Sequence, residues 1–538
     1  MMKLKFLLVV LSATSCLACT PVEQAAGRDK GVVFCSESDP NTFNPQLDTS
    51  GTTADATAHQ IYDRLIDFDQ ETGTIMPALA DSWLVSDDGL VYTFQLRRNV
   101  QFHQTEYFTP SRSFNAYDVL FSINRWRQPE HPYNKVSGGS YPYFQSLGLA
   151  EIIADVKRIN GYRVEIHLRR PDSAFLANLA TDFAVILSAE YAEQLLVKQQ
   201  TDLIDKRPIG TGPYRFVSYR PNQYVRYARH ENYWQHPVNN QHLVFDITPK
   251  SALRLAKLIT GECDISVFPA QSELDTIREN EQLMLLERPG LNVGFWAFNT
   301  QKPPFDNPDV RRALAMAIDK STLLDTVYFG SAKRATSILP PTSWAYQPNA
   351  DDINYNPVQA ERLLRAAGIE PGFRMTLWAM PVQRAYNPNA MKMARLMQAY
   401  LAEVGVVATI VSYDWTTFRN NLQQGMHDSV LIGWSADNVD PDNFYRPLLT
   451  CSAIPSGTNR AMWCNKAYDE LIEQALLVND TERRRQLYAQ ANRMLYEEMP
   501  LMPIAHAFRY QAQRRGVENV AINTFGGVRL GEVEKSND

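Results

Sequence analysis

Two residues of opposite charge, Arg384 and Asp437, occupy equivalent places in the chain. Arg384 follows the β-rich run Phe373 to Ala379 by five residues, and Asp437 follows a second such run, Ser429 to Trp434, by three. A planar guanidinium holds a carboxylate through two parallel hydrogen bonds, and a carboxylate accepts from an ammonium. Held apart, the two would read both ends of a zwitterion, which is the chemistry of a short peptide. The alternative is that they pair with each other or point into solvent as ordinary loop charges, where an exposed pair contributes only about 0 to 1 kcal/mol. Geometry separates these readings, because a dipeptide spaces its terminal charges by about two extended residues at ~3.3 to 3.6 Å each.

The stretch that must position them alternates three strands with two helices. Val406 to Tyr413 is a nearly continuous apolar run lying between the two runs already named. Met393, Leu396, Met397, Tyr400, Leu401 and Val404 fall at helical spacing, with Pro388 near the start and Gly405 just past the end. Asp414 can cap the second helix, Phe418 and Leu422 share one of its faces, and Gly425 can close it. Such an order implies a parallel sheet with right-handed crossovers. Ligands of open parallel sheets sit outside the carboxyl ends of the strands, where both charged residues belong.

Catalytic chemistry finds no support. The nine histidines do not cluster, and no Ser/His/Asp order, carboxylate pair or metal motif emerges in a supporting context. Gly138 to Ser140 lacks the setting of a nucleophile elbow, and PIGTGPY at 208–214 lacks the Lys-Ser/Thr of a phosphate loop. No catalytic residue, metal site or cofactor is expected. The formal net charge of -6 becomes about -8 once Lys3 and Lys5 leave with a leader, which argues against nucleic acid as a partner.

Residues 1–19 read as an export signal: Lys3 and Lys5 precede the apolar run Phe6 to Leu11, then small residues and cysteines follow. Cys16 and Cys19 both stand where a lipoprotein cysteine would, and neither has the usual Leu three residues earlier, so soluble and lipid-anchored forms both stay open. Four cysteines remain, Cys35, Cys263, Cys451 and Cys464, which permit three pairings in an oxidising compartment. Cys451 and Cys464 are close enough to staple the loop between them, beside the proposed site. Cys35 with Cys263 would then tie the start of the mature chain to a distant strand.

Roughly 518 mature residues exceed one domain's usual size, so at least two lobes are expected. GVVFCSE from Gly31 reads as a first strand, followed by a turn-rich loop in which Thr49, Ser50 and Gly51 could bring backbone close to a ligand. His59 to Phe68 reads as amphipathic, Ser82 to Leu96 as a hairpin, and Asn115 to Arg125 as a helix. The next loop, HPYNKVSGGSYPYF, reads as a cleft wall or as a glycine loop pinned by buried rings. Asn307-Pro308 and Asn356-Pro357 each open a helix. PGLNVGFWAFNT, Pro289 to Thr300, is the candidate crossing between lobes, with a return near Pro503 to Gln513.

The segments ALADSWLVSDDGLVYTFQLRRNVQFH, NAYDVLFSI, IGTGPYRF and NPDVRRALAMAIDK resemble the extracellular solute-binding proteins of family 5, over essentially all of the mature chain. These serve ABC importers of peptides, nickel complexes and similar cargo. CSESDPNTFNPQ, NKVSGGSYPYF, MPVQRAYNPN and GWSADNVDPDNF resemble its dipeptide-binding branch, whereas FYRPLLTCSAI, SILPPTSWAY and FGGVRLGEV lean towards its Sap-type, antimicrobial-peptide branch. The resemblance implies an α/β fold, the two-lobed periplasmic binding protein of type II in its large peptide-binding subclass. Mixed sheets, two hinge crossings and an extra subdomain in the first lobe come with it. Expected boundaries are 30–289 for lobe I, with the insert at about 75–208, 290–507 for lobe II, and 508–538 for the return to lobe I. The resemblance also implies that Arg384 takes a peptide carboxylate and Asp437 its amine, and that Cys35 pairs with Cys263 and Cys451 with Cys464. Thr49, Gly51, Ser140, Tyr141, Tyr386, Gly433 and Trp434 match segments lining the family's cleft. The implied partners are a short peptide and an inner-membrane ABC permease with its ATPase subunits, served by a periplasmic monomer. A haem or metal-complex carrier on the same fold and a secreted peptide hydrolase are the competing readings.

Overall fold

In the computed structural model, which describes residues 31–69, 72–348 and 351–536, the stretch around Arg384 and Asp437 folds as its pattern predicts. Strand Phe373–Ala379 pairs in parallel with Val406–Val411, in register from Phe373 against Val406 to Trp378 against Val411. On its other side it pairs in parallel with Ser429–Ser435. Helix Ala390–Glu403 connects the first two strands; Asn389 caps it by accepting from the Lys392 amide. Its buried Ala390, Met393, Ala394, Met397 and Leu401 fasten it over the sheet, each large apolar side chain contributing about 1.5 to 3 kcal/mol. Asp414 caps helix Trp415–Gln423 by accepting from the Thr417 amide. Gly405 and Gly425 end the two helices with φ of 79° and 65°, backbone that a side chain would strain.

Beyond this unit the sheet turns antiparallel and continues into the other half of the molecule. Ser429–Ser435 pairs with Asn292–Phe298, with Gly433 opposite Gly294. Asn292–Phe298 in turn lies against one end of the long strand Leu501–Arg514. The other end of that strand pairs with Leu283–Pro289 and Ile265–Val267. From there the order runs through Gly31–Ser36, His242–Ile247, Tyr224–Arg229 and Tyr214–Arg220. The chain thus passes between two lobes twice, at Pro289–Asn292 and along Leu501–Arg514. A separate antiparallel sheet of four strands spans Ala80–Leu168, entered by the hairpin that pairs Val85 with Tyr92.

Cys35 is bonded to Cys263, and Cys451 to Cys464. Two local expectations need correction. The turn-rich loop after Asp48 becomes the short helix Gly51–Thr57, because Ser50 accepts from the Thr53 amide and starts a turn that small residues continue. His59 to Phe68 is not amphipathic, since it is buried along nearly its whole length between layers and ends in strand Ile66–Phe68. The leader, with Cys16 and Cys19, lies outside the described residues. Among those described, no helix is long and apolar enough to cross a membrane.

Candidate functional site

Arg384 and Asp437 line one cavity between the lobes, about 1030 Å³ including its mouth. They do not pair with each other. The Arg384 guanidinium forms an ion pair with Glu37 from the loop after the first strand, and both side chains are buried. It also lies over the Phe268 and Trp415 rings, at 5.8 and 5.6 Å. A tight turn fixes it at the strand end, the Arg384 and Asn387 backbones donating to each other at 3.2 and 3.1 Å. Burial alone would lower the guanidinium's pKa, but Glu37, Tyr386 and Asp55 together more than offset it and hold it above its ordinary value.

The other predicted residues divide. Thr49, Gly51, Tyr386, Gly433 and Trp434 line the same cavity, whereas Ser140 lines a neighbouring one. Tyr141 lines neither and is a correction: it is fully buried, its hydroxyl accepting from Arg125 Nε at 3.2 Å and donating to the Asn134 carbonyl at 2.9 Å. Its ring is a wedge in the first lobe, the buried-ring alternative for that loop. Gly433 and its strand partner Gly294 have a different role from ligand contact. A Cβ at Gly294 would fall 2.2 Å from the Tyr386 carbonyl oxygen, and one at Gly433 would fall 2.4 Å from Tyr386 Cδ2. The two glycines therefore form the seat in which Tyr386 rests, and Tyr328 Oη donates to its carbonyl at 2.8 Å.

Three further arginines and several acids complete the site. Arg419 pairs with Asp48, and its guanidinium lies 5.9 Å from the Trp415 ring. Arg460 reaches in from the loop closed by Cys451 and Cys464. The Tyr386 hydroxyl lies in the field of Arg384, Arg419 and Arg460, although burial still raises its pKa. Among the described residues, three N–H donors around these groups are shut from solvent without an acceptor: Arg384 Nη2, Arg460 Nη1 and Trp415 Nε1. Buried donors are almost always satisfied, so three orphans lining one cavity fit an acceptor-rich anionic group.

At the other end stand Asp437, Asp182 and Asp55, with Arg509. Burial pushes the Asp437 carboxyl well above the usual range, Asp182 adds to this, and Arg509 only partly offsets it. Asn443 shapes this loop, its Oδ1 accepting from the Asp437 amide at 3.1 Å and from Trp434 Nε1 at 3.0 Å. Burial and Glu37 raise Asp55 to about 7, although it accepts from the Val528 amide at 2.9 Å. Asp182 differs: burial would raise it, but His59, whose Nε2 lies 2.6 Å away, and Arg64 hold it below the ordinary range. The cavity thus offers N–H donors at one end and, at the other, the carboxyls of Asp437 and Asp55, which form no ion pair among the described residues.

Sequence reasoning missed Glu37, Asp48, Asp55, Asp182, Trp415, Arg419, Arg460 and Arg509. Trp415 and Arg419 carried a signal, being four apart on a helix that begins at a rim of the sheet. Arg460 sat in a loop already placed beside the site.

The model for bacterial extracellular solute-binding proteins, family 5, matches residues 74–456. The dipeptide-binding protein of Escherichia coli K12 is 42% identical over 502 residues, 93% of this chain and 94% of that one. The peptide transport periplasmic protein SapA of Salmonella typhimurium is 41% identical over 528 residues, 98% of this chain and 96% of its own. A solved dipeptide-binding protein of Pseudoalteromonas sp. SM9913, in complex with Met-Leu, superposes with a TM-score of 0.93 at 46% identity, covering 94% of this chain and all of that one.

Proposed function

Because the chain belongs to the bacterial extracellular solute-binding proteins of family 5, we propose that it captures short peptides in the periplasm and delivers them to the permease of an ABC importer. The observation that carries this is the pairing, in one cavity, of three unsatisfied buried N–H donors with the Asp437 carboxyl. In this reading the carboxylate of a dipeptide takes the donors of Arg384 and Trp415, and the peptide ammonium takes Asp437. Burial between lobes lowers the local dielectric, so both charge contacts strengthen relative to water. A ligand shifts a two-state equilibrium only by binding one state better. Peptide that bridges both lobes favours the closed form, which presents the permease with a surface the open form lacks.

The same reading assigns 30–289 with its insert at about 75–208 to lobe I, 290–507 to lobe II and 508–538 to the return. It assigns the protein a monomeric, exported state, with Cys16 or Cys19 as the place for a lipid if one is attached. Its work is binding rather than turnover. A haem or metal-complex carrier fits less well, since no histidine lines the cavity among the described residues. Native mass spectrometry of the protein as isolated, followed by titration calorimetry with Ala-Ala, tests the proposal. Short peptides carried through purification and released intact are expected. A protein that neither carries nor binds any peptide would overturn it.

A further inference from the structure

Arg460 is the exception among the arginines that line the cavity. Arg384 is matched by Glu37 and Arg419 by Asp48, while Arg509 donates to the Gly526 carbonyl at 3.0 Å and faces Asp55, Asp182 and Asp437. Among the described residues Arg460 has no ion pair and no side-chain hydrogen bond, and its Nη1 is closed off from solvent. Burial, with Arg419 beside it, pulls its pKa down to about 9, so the protein holds this charge at a disadvantage. A cation held partly out of water without a partner destabilises a fold.

Its place in the molecule is equally specific. A second cavity, of about 1630 Å³ including open solvent, adjoins the first, and Thr49, Arg419, Thr458 and Arg460 line both. Arg460 therefore stands at the passage between them. The Cys451–Cys464 disulfide closes the loop that carries it.

The geometry points to Arg460 as a second carboxylate anchor, which receives an anionic group carried past Arg384 towards the second cavity. This rests on the peptide reading above and extends it to ligands larger than a neutral dipeptide. Two groups supply the same chemistry: the terminal carboxylate of a third residue, or the acidic side chain of a second one. Further residues of a longer peptide would enter the second cavity.

The test is titration calorimetry of the wild type, Arg460→Gln and Arg460→Lys with Ala-Ala, Ala-Ala-Ala, its C-terminal amide, and Ala-Glu. Arg460→Gln is expected to lose about tenfold or more in affinity for Ala-Ala-Ala or Ala-Glu and less than about threefold for Ala-Ala. Arg460→Lys should regain most of that loss, and the amide should bind wild type and Arg460→Gln alike. A loss confined to Ala-Ala-Ala assigns the anchor to the chain terminus, and one confined to Ala-Glu assigns it to a side chain. The unliganded Gln variant should melt no lower than wild type, because the charge removed has no partner there. Equal losses for all ligands, no loss for either larger one, or a lower melting temperature would overturn the assignment while leaving the peptide reading intact. A wild type that binds none of the four would overturn both.

Discussion

The two ends of the cavity hold their charges in opposite ways. At the guanidinium end, Arg384 and Arg419 are each fixed by a carboxylate of the protein, and what remains for a ligand is a set of spare donors. At the acidic end, Asp437 and Asp55 have no cation within ion-pair distance among the described residues, and burial raises both. The first end is preorganised, because Glu37 helps to hold the Arg384 guanidinium above its ordinary pKa and Arg419 helps to hold the Asp48 carboxyl below its own. The second is governed by protons, since an incoming ammonium must find a carboxyl ionised or make it so. Recognition of one small zwitterion thus couples to solution conditions from one side only.

The largest effect that would break this contrast is on stability. Arg384→Met strands Glu37 as an uncompensated buried charge and should cost about 3 to 5 kcal/mol, read by urea unfolding, with Glu37→Gln added to it recovering much of the loss. No change would mean that the guanidinium end is not fixed by its pair. Asp437→Asn should weaken peptide binding by about 2 to 5 kcal/mol in calorimetry. Because the side chain replaced is a raised carboxyl, unfolding of the free protein near pH 6 should be unaffected; unchanged affinity would remove Asp437 from the site. Replacing Cys451 and Cys464 by serine should lower stability by about 3 kcal/mol, the chain-entropy value for a loop of this size, and loosen only the end that carries Arg460. Equilibrium unfolding with and without reductant measures it.

The finest distinction concerns pH. The folded pKa of Asp55, about 7, lies above its ordinary 3.8, so its contribution to the stability of the free protein is present below about pH 4 and is lost as pH rises through 7. Asp437 acts in the same direction. Peptide affinity should run the other way between pH 5 and 8, rising at most about tenfold per pH unit for each proton released. Calorimetry in buffers of different ionisation enthalpy counts those protons. Proton-neutral binding would show that the acidic end is already ionised when empty.

Much of this was legible in the chain because it is local. The strand and helix periods from Phe373 to Trp434, the start signal Pro388, the cap Asp414, and the stops Gly405 and Gly425 are set by neighbours a few residues away. So is the placement of Arg384 and Asp437 beyond strand ends. What escaped is the counter-charge of each group. Glu37 reaches Arg384 across 347 positions, and Asp48 reaches Arg419 across 371, distances at which no pattern in one sequence signals contact. Gly433 was legible as a cleft residue, but its purpose was not, since the Tyr386 ring it seats comes from a separate strand end. Tyr141 misled because a tyrosine in a glycine-rich loop reads alike whether it faces a cleft or a core.

The strand Leu501–Arg514 bonds with one end to the sheet of one lobe and with the other end to the sheet of its neighbour. Opening and closing must therefore be absorbed as torsion of a continuous ribbon, with its hydrogen bonds kept, rather than as bending of a slack linker. Heat meets the same ladder: it cannot melt one lobe and spare the other, so the molecule should come apart as a single cooperative unit.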